Sequence, residues 1–207
     1  VYPGVRQYYK EMDGLQPGAP EDLTFVTARP DDRIGFVKKS TKKSLRAHGL
    51  GHMVVLAGSV PSLLSSQLIA EKKLQWMDEL RHLYPEFQLV FTGDSGQGDA
   101  LCGLKAGQSG WHSYRTTLIH DIKQTPQAER QRYREQGVHF FDTYVGAALE
   151  AQDQGLLDLE RVVRIARATC NDFESTAFLE EEQRQQRKAE LERDLGRVNA
   201  QLPPDQA

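Results

Sequence analysis

Apolar residues along this chain come in short unbroken runs, with amphipathic stretches between them. Residues 23–27, 53–57, 87–91, 116–119 and 138–141 each read as a buried strand. Arg29-Pro30 stops the first run, Gly58 the second and Gly93 the third. Unbroken runs, rather than strict alternation, suit strands covered on both faces, as in a parallel sheet. Helical periodicity fills 40–48, 61–83, 127–136, 142–153 and 158–170. The alternation predicts an α/β fold: a doubly wound, mostly parallel sheet of Rossmann type.

The last quarter of the chain differs in character. Leu159, Val162, Val163, Ala166 and Cys170 recur at helical spacing and call for something to pack against. Beyond Asn171 the pattern predicts one long charged helix. Leu191, Leu195, Val198 and Leu202 form a thin apolar stripe on it, suited to docking on the domain or on a partner helix over 171–200. Leu202-Pro203-Pro204 ends the helix. The expected organisation is a core over 1–156, a helical extension over 157–200 and a disordered tail over 201–207.

Composition narrows the class. At 207 residues the chain has room for one α/β domain with a helical appendage. It is 39% hydrophobic and 27% charged, as soluble globular proteins are. A net charge of −3 argues against general nucleic-acid binding, which calls for a strongly basic domain. The two cysteines, Cys102 and Cys170, cannot build a disulfide framework and are expected as reduced thiols. No apolar run approaches the ~20 residues of a membrane span, and no secretory signal is visible. These features point to the cytoplasm. Lys38, Lys39, Lys42 and Lys43 form a basic cluster. It reads as a solvated loop and helix start, or as a peripheral membrane contact worth about 1 kcal/mol per basic residue. The chain opens on Val1-Tyr2-Pro3-Gly4 rather than methionine, as expected of a piece of a longer or processed polypeptide.

Candidate chemistry centres on residues 89–103, LVFTGDSGQGDALCG. One reading makes Ser95 a nucleophile. Chymotrypsin-like context is lacking, since none of the upstream histidines His48, His52 and His82 is followed by cysteine. A hydrolase elbow would read G-x-S-x-G, whereas Gly93-Asp94-Ser95-Gly96-Gln97 lacks the second glycine at its place. The other reading presents Asp94 and Asp99 to a hard cation at the carboxyl end of a strand, where open α/β sheets bind ligands. Two more residues join it. Thr27 ends the first predicted strand and offers a hydroxyl to a phosphoryl oxygen. Lys73 lies on the apolar face set by Ile69, Trp76, Met77 and Leu80, so its ammonium either meets an anionic partner or snorkels out to water. Arg29 sits close enough to the same site to touch phosphate. His120-Asp121 ends another strand and reads first as structural. No zinc site is expected at His48 and His52.

Thr27, Lys73 and the Asp94/Asp99 pair, on successive elements, match the second to fourth motifs of the haloacid-dehalogenase-type phosphotransferase fold. Further blocks narrow the likeness: Val1-Tyr2-Pro3-Gly4-Val5, Val26-Thr27-Ala28-Arg29-Pro30, Lys73-Leu74 leading to Tyr84-Pro85, and the run from Val90 to Asp99. Leu118-Ile119-His120-Asp121-Ile122 and the run from Phe140 to Ala148 continue it. The chain resembles the catalytic domain of the actin-patch-associated type of phosphatidate phosphatase. That resemblance implies Mg²⁺-dependent removal of phosphate from phosphatidate, or from another phosphomonoester, through an aspartyl-phosphate. It implies that Thr27 binds the transferring phosphoryl group and that Lys73 neutralises charge. It further implies Mg²⁺ on Asp94 and Asp99, with Ser95 a supporting residue of the turn and Gln97 an outer ligand; Arg29, Ser95 and Gln97 are the candidates on the substrate side. One departure stands out: no Asp-x-Asp occurs in the 207 residues. The family carries that nucleophile motif on a central first strand before the Pro-Gly-Val segment. The expectation is that the nucleophile lies outside this chain and that the chain alone is inactive. The alternative is an inactive relative that binds phospholipid or protein.

Overall fold

The computed structural model describes residues 2–13, 23–30, 43, 54–58 and 65–203, with 27–30 and 54–58 described by their backbone. In chain order the elements are α1 (Val5–Asp13), β1 (Thr24–Pro30), β2 (Val54–Gly58), α2 (Ser66–Leu83), β3 (Leu89–Asp94) and α3 (Asp99–Gln108). They continue with β4 (Tyr114–His120), α4 (Gln127–Arg134), β5 (Val138–Phe141), α5 (Tyr144–Asp153), α6 (Leu159–Ser175) and α7 (Glu181–Asn199). The chain is α/β, and its strands run parallel. The expected helix over 40–48 lies outside the described residues, Lys43 excepted.

Two compact units make up the chain: Val1–Pro20 with Phe141–Ala207, and Glu21–Phe140. The division falls after residue 140, where the sequence reading placed it after 156. Helix α5 groups with the C-terminal helices.

In the unit Glu21–Phe140, β1 pairs with β2, and β3, β4 and β5 form a second sheet in that order. Among the described residues neither β1 nor β3 has a strand on its other side. Thr24, Phe25 and Val26 pair in register with Val54, Val55 and Leu56, and the ladder then slips before Pro30 meets Gly58. The irregularity therefore spans Thr27 to Arg29. In the second sheet Thr116, Thr117, Leu118, Ile119 and His120 are all buried, as the unbroken apolar run required. Helix α2 is capped by Ser65, whose hydroxyl accepts from Leu68 N at 3.2 Å. It packs on β1, β2 and α3, while α3 packs on β3 and β4. Ala70 and Met77 of α2 and Cys102 and Ala106 of α3 form a buried core. Burial pushes the Cys102 thiol up to about 12, so it is an inert core group.

The unit Val1–Pro20 with Phe141–Ala207 is helical. Pro3-Gly4-Val5 starts α1, and Gly4 N–H donates to Asp172 of α6 at 2.9 Å. Farther along α1, Glu11 meets the guanidinium of Arg164 at 2.8 Å. Tyr8 is fully buried against Tyr9 and Tyr144. Thr143 caps α5 and donates to the buried Asp194 of α7 at 2.7 Å. The expected single helix beyond Asn171 is in fact two: α6 runs on to Ser175, and α7 begins at Glu181. Leu191 and Val198 are buried where α7 packs on α5 and α6, so the stripe docks on its own chain.

Gly4 has φ +80°, and a Cβ there would lie 2.0 Å from Thr169 Oγ1. Gly4→Ala is expected to lower stability by about 3 kcal/mol, combining left-handed backbone strain with overpacking. Urea denaturation measures it, and a change within about 0.5 kcal/mol, the scale of a neutral surface substitution, would contradict the account.

Candidate functional site

The carboxyl end of β3 runs straight into a glycine-rich turn and then into α3. Asp94 is the last residue of β3 and Asp99 the first of α3, five positions on. Gly98, in left-handed backbone at φ 80°, starts the helix. Asp99 therefore sits in the first helical turn, where the helix dipole favours a negative charge. Its Oδ2 accepts from Asp94 N at 3.2 Å, drawing the two residues together. That return path runs over Gly93. A Cβ at Gly93 would sit 2.5 Å from Asp99 Oδ2 and 2.6 Å from its Cβ, so only glycine fits.

Lys73 comes to the same place from α2. Ile69 and Met77, four residues to either side, are buried, which sets the inward face. The Lys73 ammonium bonds Asp99 Oδ1, with the two side chains only 12% and 7% exposed. Its partner is thus an anion, Asp99. Burial pushes the Asp99 carboxyl up from its ordinary value, against the opposing pull of Lys73.

Asp94 is differently engaged. Its Oδ1 accepts from Gly96 N at 2.6 Å, which leaves Oδ2 without a hydrogen bond among the described residues. Both oxygens of Asp99 are taken, one by Lys73 and one by Asp94 N. Of the two acids, only Asp94 keeps a carboxylate oxygen without a hydrogen bond among the described residues, while Asp99 holds the Asp94 backbone N–H. Among the described residues no cluster of three His, Cys, Asp or Glu side chains forms a metal cage. Mg²⁺ does not demand one, since it binds through one or two carboxylates and keeps waters and substrate phosphate. The half-buried Asp94 carboxylate, with one free oxygen, fits that donor pattern.

Ser95 lies beside this pair but faces the end of β4. Its hydroxyl donates to Asp121 Oδ1 at 2.9 Å. It also accepts from Ile122 N at 3.0 Å and from Lys123 N at 3.1 Å. Asp121, whose side chain is fully buried, also accepts from Lys123 N, from Thr125 N and Oγ1, and from the Arg130 guanidinium. Burial alone would raise the Asp121 carboxyl. The bonds from Ser95 and the two backbone N–H groups, with the Arg130 charge, instead hold it below the usual range. Sequence reasoning did not find this knot. Its only trace was an acidic residue just past a strand, and Arg130 lies on a helix with no buried residue to mark it.

Gln97 is exposed on the turn. Thr27 and Arg29 lie in β1 at the ladder irregularity, and their side chains fall outside the described residues, as do Lys38, Lys39, Lys42, His48 and His52. Lys43 is exposed. Among the described residues no helix is long and apolar enough to cross a membrane. The structure thus brings together Lys73, Asp94 and Asp99, with Ser95 adjoining them.

Fold and site together define an α/β domain with a buried lysine–aspartate pair beneath an acidic strand-end turn. Comparison with family models, with curated proteins and with solved structures returns no match for this chain.

Two expectations test this geometry. Lys73→Met strands the buried Asp99 charge and is expected to cost about 3 kcal/mol at neutral pH. Adding Asp99→Asn should recover most of that, and strict additivity in a double-mutant cycle would refute the pairing. The second concerns pH. A folded Asp121 carboxyl held low adds stability above its unfolded value near 3.8 and loses it as pH falls through the lower folded value. Asp121→Asn should therefore be less stable than the unsubstituted protein at pH 7, by about 2 kcal/mol. The gap should close in acid, below pH 3.8. A gap constant with pH would sink the assignment.

Proposed function

We propose that this chain is part of a Mg²⁺-dependent phosphomonoester hydrolase of the haloacid-dehalogenase-like type, acting on phosphatidate to release diacylglycerol. The observation that carries the reading is the meeting of Lys73, Asp94 and Asp99 at the carboxyl end of β3. An ammonium held by Asp99, with the free oxygen of Asp94 at the other end of the same short turn, supports phosphoryl transfer, because its charge gathers on the phosphoryl oxygens. Mg²⁺ held by Asp94 would supply the rest of that neutralisation. Thr27, in β1, would donate its hydroxyl to the phosphoryl group, with Arg29 beside it.

The sheet arrangement supports the same reading. The resemblance to the phosphatidate phosphatase domain places a nucleophile-bearing strand between the strands of Thr27 and Asp94. Those strands are β1 and β3, and each pairs on one side alone among the described residues. An unpaired strand edge presents N–H and C=O groups that favour an added strand. The aspartate that becomes phosphorylated would ride on that strand, supplied from outside residues 1–207. Phosphatidate as substrate rests on the resemblance. The chemistry of the site is that of a phosphomonoester.

Phosphate release by the parent polypeptide tests the proposal, with phosphatidate in mixed micelles and a water-soluble aryl phosphate as parallel substrates. Activity should vanish with chelator and return with Mg²⁺. Asp94→Asn should lower kcat about 100-fold, the scale of losing one fixed charge-stabilising group. Turnover that needs no divalent ion, or that survives Asp94→Asn, overturns the reading. Phospholipid binding without turnover would favour a binding module instead.

A further inference from the structure

We infer that Ser95 and Asp121 are positioning residues that aim the Asp94 carboxylate at its cation, and that Ser95 does not contact substrate. This rests on the Mg²⁺ phosphatase reading. Asp94 opens a turn that holds Gly96 and Gly98, and such a turn by itself would leave a carboxylate many orientations. Its direction is fixed through Gly96, whose N–H bonds Asp94 Oδ1 at 2.6 Å.

Gly96 in turn is fixed from β4. Ser95 N donates to His120 O at 2.9 Å. The Lys123 ammonium donates to Gly96 O at 2.8 Å. The Ser95 hydroxyl bonds Asp121, Ile122 N and Lys123 N. A serine hydroxyl has one hydrogen to donate and two lone pairs. All three are used, so nothing remains for a phosphoryl oxygen. Asp121 is held by Thr125 and Arg130, so the clamp on Ser95 is itself rigid. The chain of bonds thus runs from Arg130 through Asp121, Ser95 and Gly96 to Asp94 Oδ1.

The test uses the parent polypeptide, with Mg²⁺ binding read directly by titration calorimetry, thermal stability by scanning calorimetry, and kcat and KM at saturating Mg²⁺. Ser95→Ala and Asp121→Asn are expected to weaken Mg²⁺ binding about 10-fold, the scale of losing an outer-shell orienting group. KM for the phosphomonoester should not change. Ser95→Thr, which keeps the hydroxyl, should restore Mg²⁺ affinity. Should Asp121→Asn fail to fold, Ser95→Ala carries the result. A raised KM with unchanged Mg²⁺ binding would make Ser95 a substrate contact and overturn the inference. Lower thermal stability with unchanged Mg²⁺ binding would make the knot merely structural and overturn it as well. Failure of the unsubstituted protein to bind Mg²⁺ would instead strike the phosphatase reading, and this inference with it.

Discussion

An ammonium and a carboxylate, both nearly shut off from water, meet where α2 passes the start of α3. Neither charge could be buried alone without a cost of several kcal/mol, so each requires the other. The Lys73–Asp99 contact locks α2 to the first turn of α3. With Asp99 so placed, its other oxygen reaches back to Asp94 N, and Gly93 must be glycine to let it pass. The backbone of the candidate cation ligand is thus held by the same acid that pairs with Lys73. The low dielectric that strengthens the pair also penalises it, which is why the Asp99 carboxyl is raised despite its partner.

A second buried carboxylate, Asp121, works by the opposite balance. It too is out of water, but donors surround it on every side, and they outweigh desolvation. Donors hold the Asp121 carboxyl below the usual range, whereas burial raises that of Asp99 against the pull of Lys73 and the Asp94 N–H. The first suits a fixed hinge between the ends of β3 and β4. The second suits a group whose field bears on Asp94 next to it.

The helical unit of Val1–Pro20 with Phe141–Ala207 relies on the same device within itself. Asp194, 1% exposed, takes the hydroxyl of Thr143 and the guanidinium of Arg193. Glu11, 7% exposed, takes that of Arg164. Satisfied buried acids tie α7 to α5 and α6 to α1. Gly4, Thr143 and Tyr144, from two of the motif blocks, take part in the packing of this unit.

How much was legible in the sequence depended on whether a signal was local. The five strands were, because short unbroken runs, three of them closed by Gly or Pro, admit few other readings. The inward face of α2 was too, since Ile69, Lys73 and Met77 repeat at helical spacing. Lys73 was therefore placed on that face, to meet an anion or to snorkel out to water. Helix α3 was not legible, because Gly103 and Gly107 depress its intrinsic helicity and its stability comes from packing on β3 and β4. Nor was α1, whose buried face includes Glu11, a residue that reads as solvent-facing until Arg164 arrives from the far end of the chain. The sequence by itself determined the class of fold, the acidic turn and the buried cation. Only the tertiary structure decided which acid pairs with that cation, which one keeps a free oxygen, and that Ser95 belongs to Asp121. The first and last of those choices rest on contacts 26 positions apart in the chain, which no local pattern records.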